Sequence, residues 1–197
     1  MKPIILDVPE QFETERLVLR APKCGDGVIL NEAIRESFTY LSEWIFDHIP
    51  EIEEAEETAR KSYANFFLRE RFEFYMINKT SGEFIGTCIL LGIRWDVRRF
   101  EIGFWIKESA SGNGYMTEAV NGVTNFAFEH FNANRIEIRC DTKNIASRRV
   151  AERCGYHLEG ILIKDYMKPF NGSDELVDTC IYTKVRLEDG TCGYPTV

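Results

Sequence analysis

Two glycines ahead of a predicted helix form the sequence feature best suited to bind a ligand. Gly112 and Gly114 precede apolar residues that recur at helical spacing from Met116 to Phe131. Because glycine has no Cβ, a ligand can approach the backbone there, and free N–H groups at a helix start can converge on a diphosphate. The pattern predicts a phosphate site made of main-chain amides. A tight turn without a ligand is the alternative that the glycines alone leave open.

This loop matches neither of two common phosphate-binding motifs. A P-loop has Gly-Lys-Ser/Thr after its glycines, whereas Tyr115 and Met116 follow Gly114 here. A dinucleotide-binding loop has a third glycine where this sequence has Thr117. Both of those classes of protein are therefore disfavoured.

A carboxylate lies on the strand that precedes the loop. Glu101 belongs to the segment 99–106, whose apolar and polar residues alternate as in a half-buried strand. In that position it can accept a proton from a substrate, directly or through a water molecule. The alternative is a glutamate that lies on the solvent side of the sheet or pairs with Arg99 or Arg139.

The surrounding elements form a single mixed pattern of helices and strands. No linker, repeat or charge block interrupts it, so we predict one domain over residues 1–187 and a flexible tail over 188–197. The predicted strands are 14–20, 72–78, 84–91, 99–106, 134–140, 156–165 and 176–186, and the predicted helices are 26–37, 51–71, 116–131 and 144–153.

Composition restricts the classes of partner. The chain has 197 residues and a formal net charge of -8, so a nucleic-acid backbone would be repelled and basic or amine substrates are favoured. Six scattered cysteines and three histidines form no metal-binding or disulfide pattern, so no metal is expected. No apolar run reaches about 18 residues and no leader pattern is present, which predicts a cytoplasmic protein without a membrane partner.

The glycine loop and three further segments resemble one family. The string 112–119, Gly-Asn-Gly-Tyr-Met-Thr-Glu-Ala, resembles the acetyl-coenzyme A loop of the GNAT acyltransferase superfamily, in the branch that acetylates ribosomal-protein N-termini. Segment 14–20 resembles that branch's opening strand, and segment 101–106 its fourth strand. Asn-Ile-Ala-Ser at 144–147, with Cys-Gly-Tyr at 154–156, resembles its last helix and strand.

The resemblance implies a fold and a reaction. The fold is α+β, with a mixed, mostly antiparallel sheet of about seven strands that splays between strands four and five, flanked by about four helices. The reaction is transfer of acetyl from acetyl-coenzyme A to a primary amine in a ternary complex, without an acyl-enzyme. The family also implies a homodimer.

Site residues follow from the same resemblance. The implied catalytic residues are Glu101 as general base and Ser147 as the group that hydrogen-bonds or protonates the coenzyme A sulfur. The implied coenzyme-binding residues are Phe104, Trp105, Ile106, Ser111, Gly112, Asn113, Gly114, Tyr115, Met116, Thr117, Asn144, Ser147 and Arg149. The implied acceptor-binding residues are Trp44, Tyr166 and Asp178.

Several of these residues have simpler interpretations. Many GNAT enzymes have a tyrosine where this chain has Ala151, and Ser147 matches the serine of the ribosomal-protein branch; a helix-start serine that binds backbone N–H groups is its alternative. Lys143 and Arg148, like Arg149, can reach a coenzyme phosphate or form a solvated helix face.

A thiol and two aromatic residues also have simpler interpretations. Cys140 is read as a small buried hydrophobe rather than a nucleophile, so we do not expect covalent catalysis. The aromatic residues Trp44 and Tyr166 can be core material, and Asp178 can belong to a surface hydrogen-bond network.

The acceptor is the least determined part of the function. An α-amine with a pKa near 8 is roughly 10% neutral at pH 7, whereas a lysine amine is less than about 0.1% neutral, which favours an α-amine. The resemblance implies that this α-amine is a protein N-terminus. A polyamine, an amino acid or an aminoglycoside remains open as acceptor. A second hypothesis is that the protein is not an enzyme but a sensor that binds acyl-coenzyme A without catalysis.

Overall fold

The computed structural model describes residues 3–167 and 175–195. Within them are four α-helices: α1 (Gly27–Leu41), α2 (Ile52–Leu68), α3 (Tyr115–His130) and α4 (Ile145–Arg153). The strands are β1 (Gln11–Glu13), β2 (Leu17–Arg20), β3 (Phe72–Asn78), β4 (Phe84–Arg94), β5 (Arg99–Ile106), β6 (Arg135–Asp141), β7 (His157–Met167), β8 (Leu176–Arg186) and β9 (Cys192–Gly193).

These strands form one mixed sheet in the order β1-β2-β3-β4-β5-β6-β8-β7, with β9 paired to β8. Neighbouring strands are antiparallel except β5 and β6, which are parallel. The parallel pairing ends at Glu101 and Glu137, although β5 continues to Ile106 and β6 to Asp141. The two strands therefore splay apart, which confirms the predicted opening between the fourth and fifth predicted strands.

The sheet has more strands than the seven expected. The additional ones are β1, of three residues, and β9, of two residues. Segments this short show no alternation in a sequence, so only their pairing with β2 and β8 reveals them.

Alternation along β5 divides the core between two sides of the sheet. Phe100 and Ile102 pack with Val120 of α3 in one cluster. Trp105 packs with Leu30 and Ile34 of α1 in a second cluster. The period of two along a strand thus fixes which helix each side chain meets.

Helix boundaries follow local capping chemistry. At the start of α2, the side chains of Glu51 and Glu54 form a reciprocal capping box. The same helix ends at Leu68 rather than near residue 71, because Arg69 adopts a left-handed conformation with φ of 62°. The other predicted first-half helix extends to Leu41, beyond the expected end at residue 37.

Part of the predicted tail is ordered against the sheet. Cys192 and Gly193 pair with Arg186 and Val185, and the ring of Tyr194 stacks on His157 at 3.9 Å. A turn made possible by Gly190, with φ of 83°, brings this segment back onto β8. The domain boundary at residue 187 stays a prediction. In the part of the chain that is described, no helix combines the length and apolar character needed to cross a membrane.

Candidate active site

A cavity of about 290 Å³, here called the main cavity, opens where β5 and β6 splay and where α3 and α4 begin. Most of the residues that the sequence implied for coenzyme binding line it. They are Phe104, Trp105, Ile106, Ser111, Gly112, Gly114, Tyr115, Met116, Thr117, Asn144, Ser147 and Arg149. Trp44, an implied acceptor residue, lines it as well.

The start of α3 presents free backbone donors to the main cavity. Its N-cap is Gly114 with φ of 79°, and no side chain caps the helix. The N–H groups from Gly112 to Thr117 donate no hydrogen bond to any described residue. A Cβ on Gly112 would meet nothing within 4 Å, so that side of the loop is open to a ligand. Unsatisfied N–H groups with the helix dipole behind them form an anion site.

The N-terminal segment braces this loop from behind. Arg16 Nε donates to Glu118 Oε2 at 2.6 Å, and Thr14 Oγ1 donates to Glu118 Oε1 at 2.6 Å. Arg16 Nη1 donates to the carbonyl of Asn113 at 3.0 Å, and its guanidinium lies 4.5 Å from the ring centre of Tyr115. Burial opposes ionisation of Glu118, but the hydrogen bonds from Thr14 and Arg16 hold its pKa below the usual value.

The side chain of Asn113 stabilises the loop and does not line the main cavity. Its side-chain Nδ2 donates to the backbone carbonyls of Ala110 at 3.2 Å and Ser111 at 3.1 Å. It is absent from the main-cavity lining, unlike its neighbours in the loop.

Asn144 caps helix α4, and the hydroxyl of Ser147 is left without a hydrogen-bond partner among the described residues. Asn144 is the N-cap of α4, and its Oδ1 accepts from the backbone N–H of Ser147 at 3.0 Å. The serine hydroxyl has no hydrogen-bond partner in the described ranges. The alternative interpretation of Ser147 as a helix cap is therefore wrong, because Asn144 does the capping. Both residues line the main cavity and the cavity beside it.

Only one of the three basic residues considered for phosphate binding lines the main cavity. Arg149 does so, together with Arg153 one turn later on α4, and neither makes an ion pair with another described residue. Arg148 instead donates to the hydroxyl of Tyr182 at 3.2 Å, and Lys143 forms an ion pair elsewhere. The spacing i, i+4 from Arg149 is the sequence signal that identifies Arg153.

Other lining residues of the main cavity went unpredicted. Tyr40, Leu41 and Ile45 come from the end of α1 and the turn after it, for which the sequence held no signal. Ala146 and Val150 lie on α4 and share the cavity-facing side with Arg153.

Two further cavities extend the site along the splayed strands. An inner cavity of about 270 Å³ shares Trp44, Asn144 and Ser147 with the main cavity, and adds Cys140 and Asp141. A side cavity of about 300 Å³ is lined by Glu101, Arg139, Cys140, Asp141, Asp165, Tyr166 and Thr179. The inner and side cavities have Arg139, Cys140, Asp141 and Tyr166 in common.

Glu101 lies in the side cavity and not in the inner one. It is half-buried and makes no ion pair with a described residue, because Arg139 pairs with Asp165 at 2.8 Å and Arg99 approaches Glu137 at 3.9 Å. The alternative of a Glu101 ion pair with Arg99 or Arg139 is therefore wrong.

Its surroundings make Glu101 a weaker acid than usual. Burial is the main cause of its raised pKa, and the neighbouring carboxylate of Glu137 adds to it. The positive charges of Arg139 and Arg99 oppose this shift without cancelling it. A carboxylate with a raised pKa is a stronger base, which suits proton abstraction near neutral pH.

The three implied acceptor residues are not all brought together. Trp44 and Tyr166 both line the inner cavity. Asp178 lines none of the three cavities, and its Oδ1 accepts from the backbone N–H of Lys164 at 2.8 Å. This contact matches the simpler interpretation of Asp178, in which it belongs to a surface hydrogen-bond network and does not bind the acceptor.

Nucleophilic and metal chemistry have little support in the described residues. Cys140 lines the inner and side cavities, but burial, with Cys180 nearby, raises its pKa to about 12. Thiolate, the reactive form, is therefore scarce at neutral pH. Over residues 3–167 and 175–195, no three or more His, Cys, Asp or Glu side chains are placed to hold a metal ion.

Comparison with known proteins identifies the family. The family model described as "Acetyltransferase (GNAT) domain" matches residues 16–157. The "Probable N-acetyltransferase YjcK" of Bacillus subtilis is 35% identical over 49% of this chain and 54% of its own length. The "Ribosomal-protein-serine acetyltransferase" of Escherichia coli is 32% identical over 57% of this chain and 64% of its own. The chain thus spans between half and two thirds of these relatives' lengths.

A solved structure shows the same fold. RimL, a ribosomal L7/L12 alpha-N-protein acetyltransferase in complex with coenzyme A, superposes with a TM-score of 0.79 at 20% identity. The match covers 90% of this chain and 97% of that one. The coenzyme of the GNAT family is acetyl-coenzyme A, and these comparisons confirm the resemblance, the fold and the class of enzyme. The chain belongs to the GNAT acetyltransferase family.

Proposed function

We propose that this chain transfers the acetyl group of acetyl-coenzyme A to the α-amine of a protein N-terminus. The observation that carries the proposal is the continuity of the site. Free N–H groups at the start of α3 line the same main cavity as Ser147, and Ser147 also lines the inner cavity. A phosphate-binding loop, a hydroxyl donor and the half-buried carboxylate of Glu101 thus follow one another along the splayed strands.

The main cavity fits the carrier portion of the coenzyme. The N–H groups from Gly112 to Thr117 supply donors for a diphosphate, and Arg149 and Arg153 supply uncompensated positive charge for a further phosphate. Beyond Glu101, the facing edges of β5 and β6 have no ladder partner in each other. Those edges, at Phe104 to Ile106, can hydrogen-bond the amides of the pantetheine arm.

Ser147 is placed to assist departure of the thiolate. Its hydroxyl has no partner in the described part of the chain, while its backbone N–H is fixed by Asn144 at 3.0 Å. The hydroxyl can therefore donate to a sulfur that lies between the main and inner cavities.

Glu101 accepts the proton that the amine loses as the amide forms. Its raised pKa increases its basicity, and it shares the side cavity with residues that also line the inner cavity. The distance along β5 from Glu101 to Phe104 makes transfer through a water molecule the expected route.

An α-amine is the preferred acceptor for two reasons. A larger fraction of an α-amine than of a lysine amine is neutral at pH 7. Relatives with this fold bear names that specify ribosomal-protein serine and L7/L12 α-N acetylation. The proposed acceptor is accordingly a protein N-terminus that begins with a small residue such as serine.

An acceptor panel tests the proposal. The wild-type protein is incubated with acetyl-coenzyme A and a short peptide with N-terminal serine, and free thiol and peptide mass are measured. Controls are the same peptide with a blocked N-terminus and an internal lysine, a polyamine, an amino acid and an aminoglycoside. We expect thiol release and one added acetyl group only with the free N-terminus. Turnover confined to a small amine would contradict the proposal, and tight coenzyme binding without any turnover would favour a sensor.

A further inference from the structure

We propose that Asp141 and Thr179 form the subsite that holds the acceptor's amino group. This inference rests on the proposed amine acetylation and names the residues that select the amine. Neither residue was implied by the family resemblance, and both are conspicuous for having buried polar atoms without partners.

The two side chains face each other across neighbouring strands. Asp141, the last residue of β6, pairs in register with Thr179 of β8, so both project from the same face of the sheet. Asp141 is 4% exposed and Thr179 is 3% exposed. Asp141 Oδ2 and Thr179 Oγ1 have no hydrogen-bond partner among the described residues, not even each other.

An unpartnered buried carboxylate oxygen points to a missing donor. Asp141 Oδ1 accepts from the backbone N–H of Lys143 at 2.8 Å, which fixes the orientation of the carboxylate and leaves Oδ2 available. A buried acceptor without a donor is unfavourable, so a ligand that brings N–H groups would be bound by relieving that penalty. Directly opposed side chains on antiparallel strands have Cβ atoms about 4.5–5.5 Å apart, which leaves room for one nitrogen between their oxygens.

Asp141 lies between Ser147, proposed to assist the leaving sulfur, and Glu101, proposed to accept the proton. It lines the inner cavity together with Asn144 and Ser147, and the side cavity together with Glu101 and Thr179. Glu101 lines only the second of these. A nitrogen held by Asp141 therefore lies between the group that assists the leaving sulfur and the group that accepts the proton.

The two acceptors match the chemistry of a primary amine. An amine that has released its ammonium proton to solvent has two N–H bonds and a lone pair, and Glu101 accepts one further proton, directly or through water, as the amide forms. Asp141 Oδ2 and Thr179 Oγ1 accept from those two N–H bonds, which leaves the lone pair free to attack the thioester carbon. A secondary amine can fill only one of the two acceptors once it is neutral, so the subsite selects primary amines.

Two near-isosteric variants test the subsite in the full-length protein. Asp141→Asn keeps an Oδ1 for the Lys143 N–H but places an NH₂ donor where Oδ2 stood. Thr179→Val replaces only the hydroxyl, with a methyl group of similar size. The matched control is Thr87→Val, because Thr87 Oγ1 is equally buried and equally unpartnered but lines none of the three cavities.

The first readout separates acceptor binding from coenzyme binding. With the serine peptide, we expect Asp141→Asn to raise the acceptor KM about ten- to hundredfold and Thr179→Val several-fold, with the Kd of acetyl-coenzyme A unchanged. Thr87→Val should leave both constants unchanged. An unchanged acceptor KM in Asp141→Asn, or a defect confined to kcat, would overturn the subsite.

The second readout does not depend on turnover. In the presence of coenzyme A, calorimetry compares the serine peptide with its analogue that lacks the α-amino group. We expect the wild type to prefer the amine about tenfold or more and Asp141→Asn to lose that preference. Equal binding of the two peptides by the wild type would overturn the subsite. Absence of turnover with all peptides would contradict the proposed function alone, since the preference for the amine would still be measured.

Discussion

Arg16 Nε donates a hydrogen bond to Glu118 Oε2 at 2.6 Å and thereby joins the segment before β2 to the first turn of α3. The same guanidinium binds the carbonyl of Asn113 and lies over the ring of Tyr115. One side chain therefore contacts the loop, the first residue of the helix and the first-turn carboxylate. This contact holds the N–H groups of the loop in place before a ligand arrives, and a preorganised site loses less entropy on binding.

Loss of this brace should weaken coenzyme binding. We expect Arg16→Met to raise the Kd of acetyl-coenzyme A about tenfold by calorimetry and to lower the free energy of unfolding by only about 1 kcal/mol, since Arg16 is partly exposed. Arg94→Met, which breaks the exposed Arg94–Asp96 ion pair at 2.8 Å, is the matched control and should change neither quantity appreciably. Equal Kd values for Arg16→Met and the wild type would show that the contacts of Arg16 do not contribute to coenzyme binding.

Removal of the carboxylate of Glu101 should separate binding from chemistry. We expect Glu101→Gln to lower kcat about 10²- to 10⁴-fold while the Kd of acetyl-coenzyme A stays constant. The acid limb of the wild-type kcat/KM profile, which reports the free enzyme, should show a group with a pKa above 4.5, because burial raises the pKa of Glu101. That limb should be missing in the variant. Full activity of Glu101→Gln would exclude this residue as the base.

The same substitution should stabilise the fold at neutral pH. Because its pKa is raised, folded Glu101 binds a proton more tightly than the unfolded chain does, and stability is lost as the pH rises from the unfolded to the folded pKa. Below the unfolded value, the residue is protonated in both states and costs nothing. We expect Glu101→Gln to unfold at a higher temperature than the wild type at pH 7 but not at pH 3. Glu129→Gln, at an exposed position, is the control and should show no such difference.

Arg149 should recognise one particular phosphate of the coenzyme. It lines the main cavity without a described ion-pair partner, and we assign it to the 3′-phosphate. Arg149→Met should therefore weaken binding of acetyl-coenzyme A about tenfold but leave binding of its 3′-dephospho analogue unchanged. Arg35→Met is the control, since Arg35 is exposed and lies outside the cavity. Equal weakening for both ligands would place Arg149 at another part of the coenzyme.

Ser147 should matter to the departure of the thiolate. We expect Ser147→Ala to lower kcat about ten- to hundredfold with little change in the acceptor KM, because only the hydroxyl donor to sulfur is lost. Ser147→Cys, which retains a weak donor, should be intermediate. A serine-to-alanine variant with wild-type kcat would show that the sulfur leaves without help from this residue.

Local patterns in the sequence were sufficient to predict the frame of the site. Alternation along 99–106 predicted a half-buried strand, and helical spacing after Gly114 predicted α3; the structure has both, with Phe100 and Trp105 in clusters on opposite faces of that strand. Each of these signals depends on neighbours within a few residues, where sterics and burial act directly. The two shortest strands lacked such a signal.

Contacts between distant segments were not predictable in the same way. Asp141 and Thr179 meet because β8 lies between β6 and β7 in the sheet, and strand order of that kind leaves no trace in either strand. The Arg16–Glu118 contact likewise joins residues far apart in the chain. The unpartnered hydroxyl of Ser147 could not be predicted, because both Asn144 and Ser147 are good helix-cap residues and only the geometry shows which one caps α4.

We infer that main-chain amides at the start of α3 bind the diphosphate of acetyl-coenzyme A. An NMR titration of the isotope-labelled protein with acetyl-coenzyme A measures the change in each backbone amide signal and so shows which N–H groups contact the ligand. We expect the largest downfield proton shifts at Gly112 to Thr117, because their N–H groups gain anionic acceptors. No binding, or shifts confined to residues away from this loop, would contradict it.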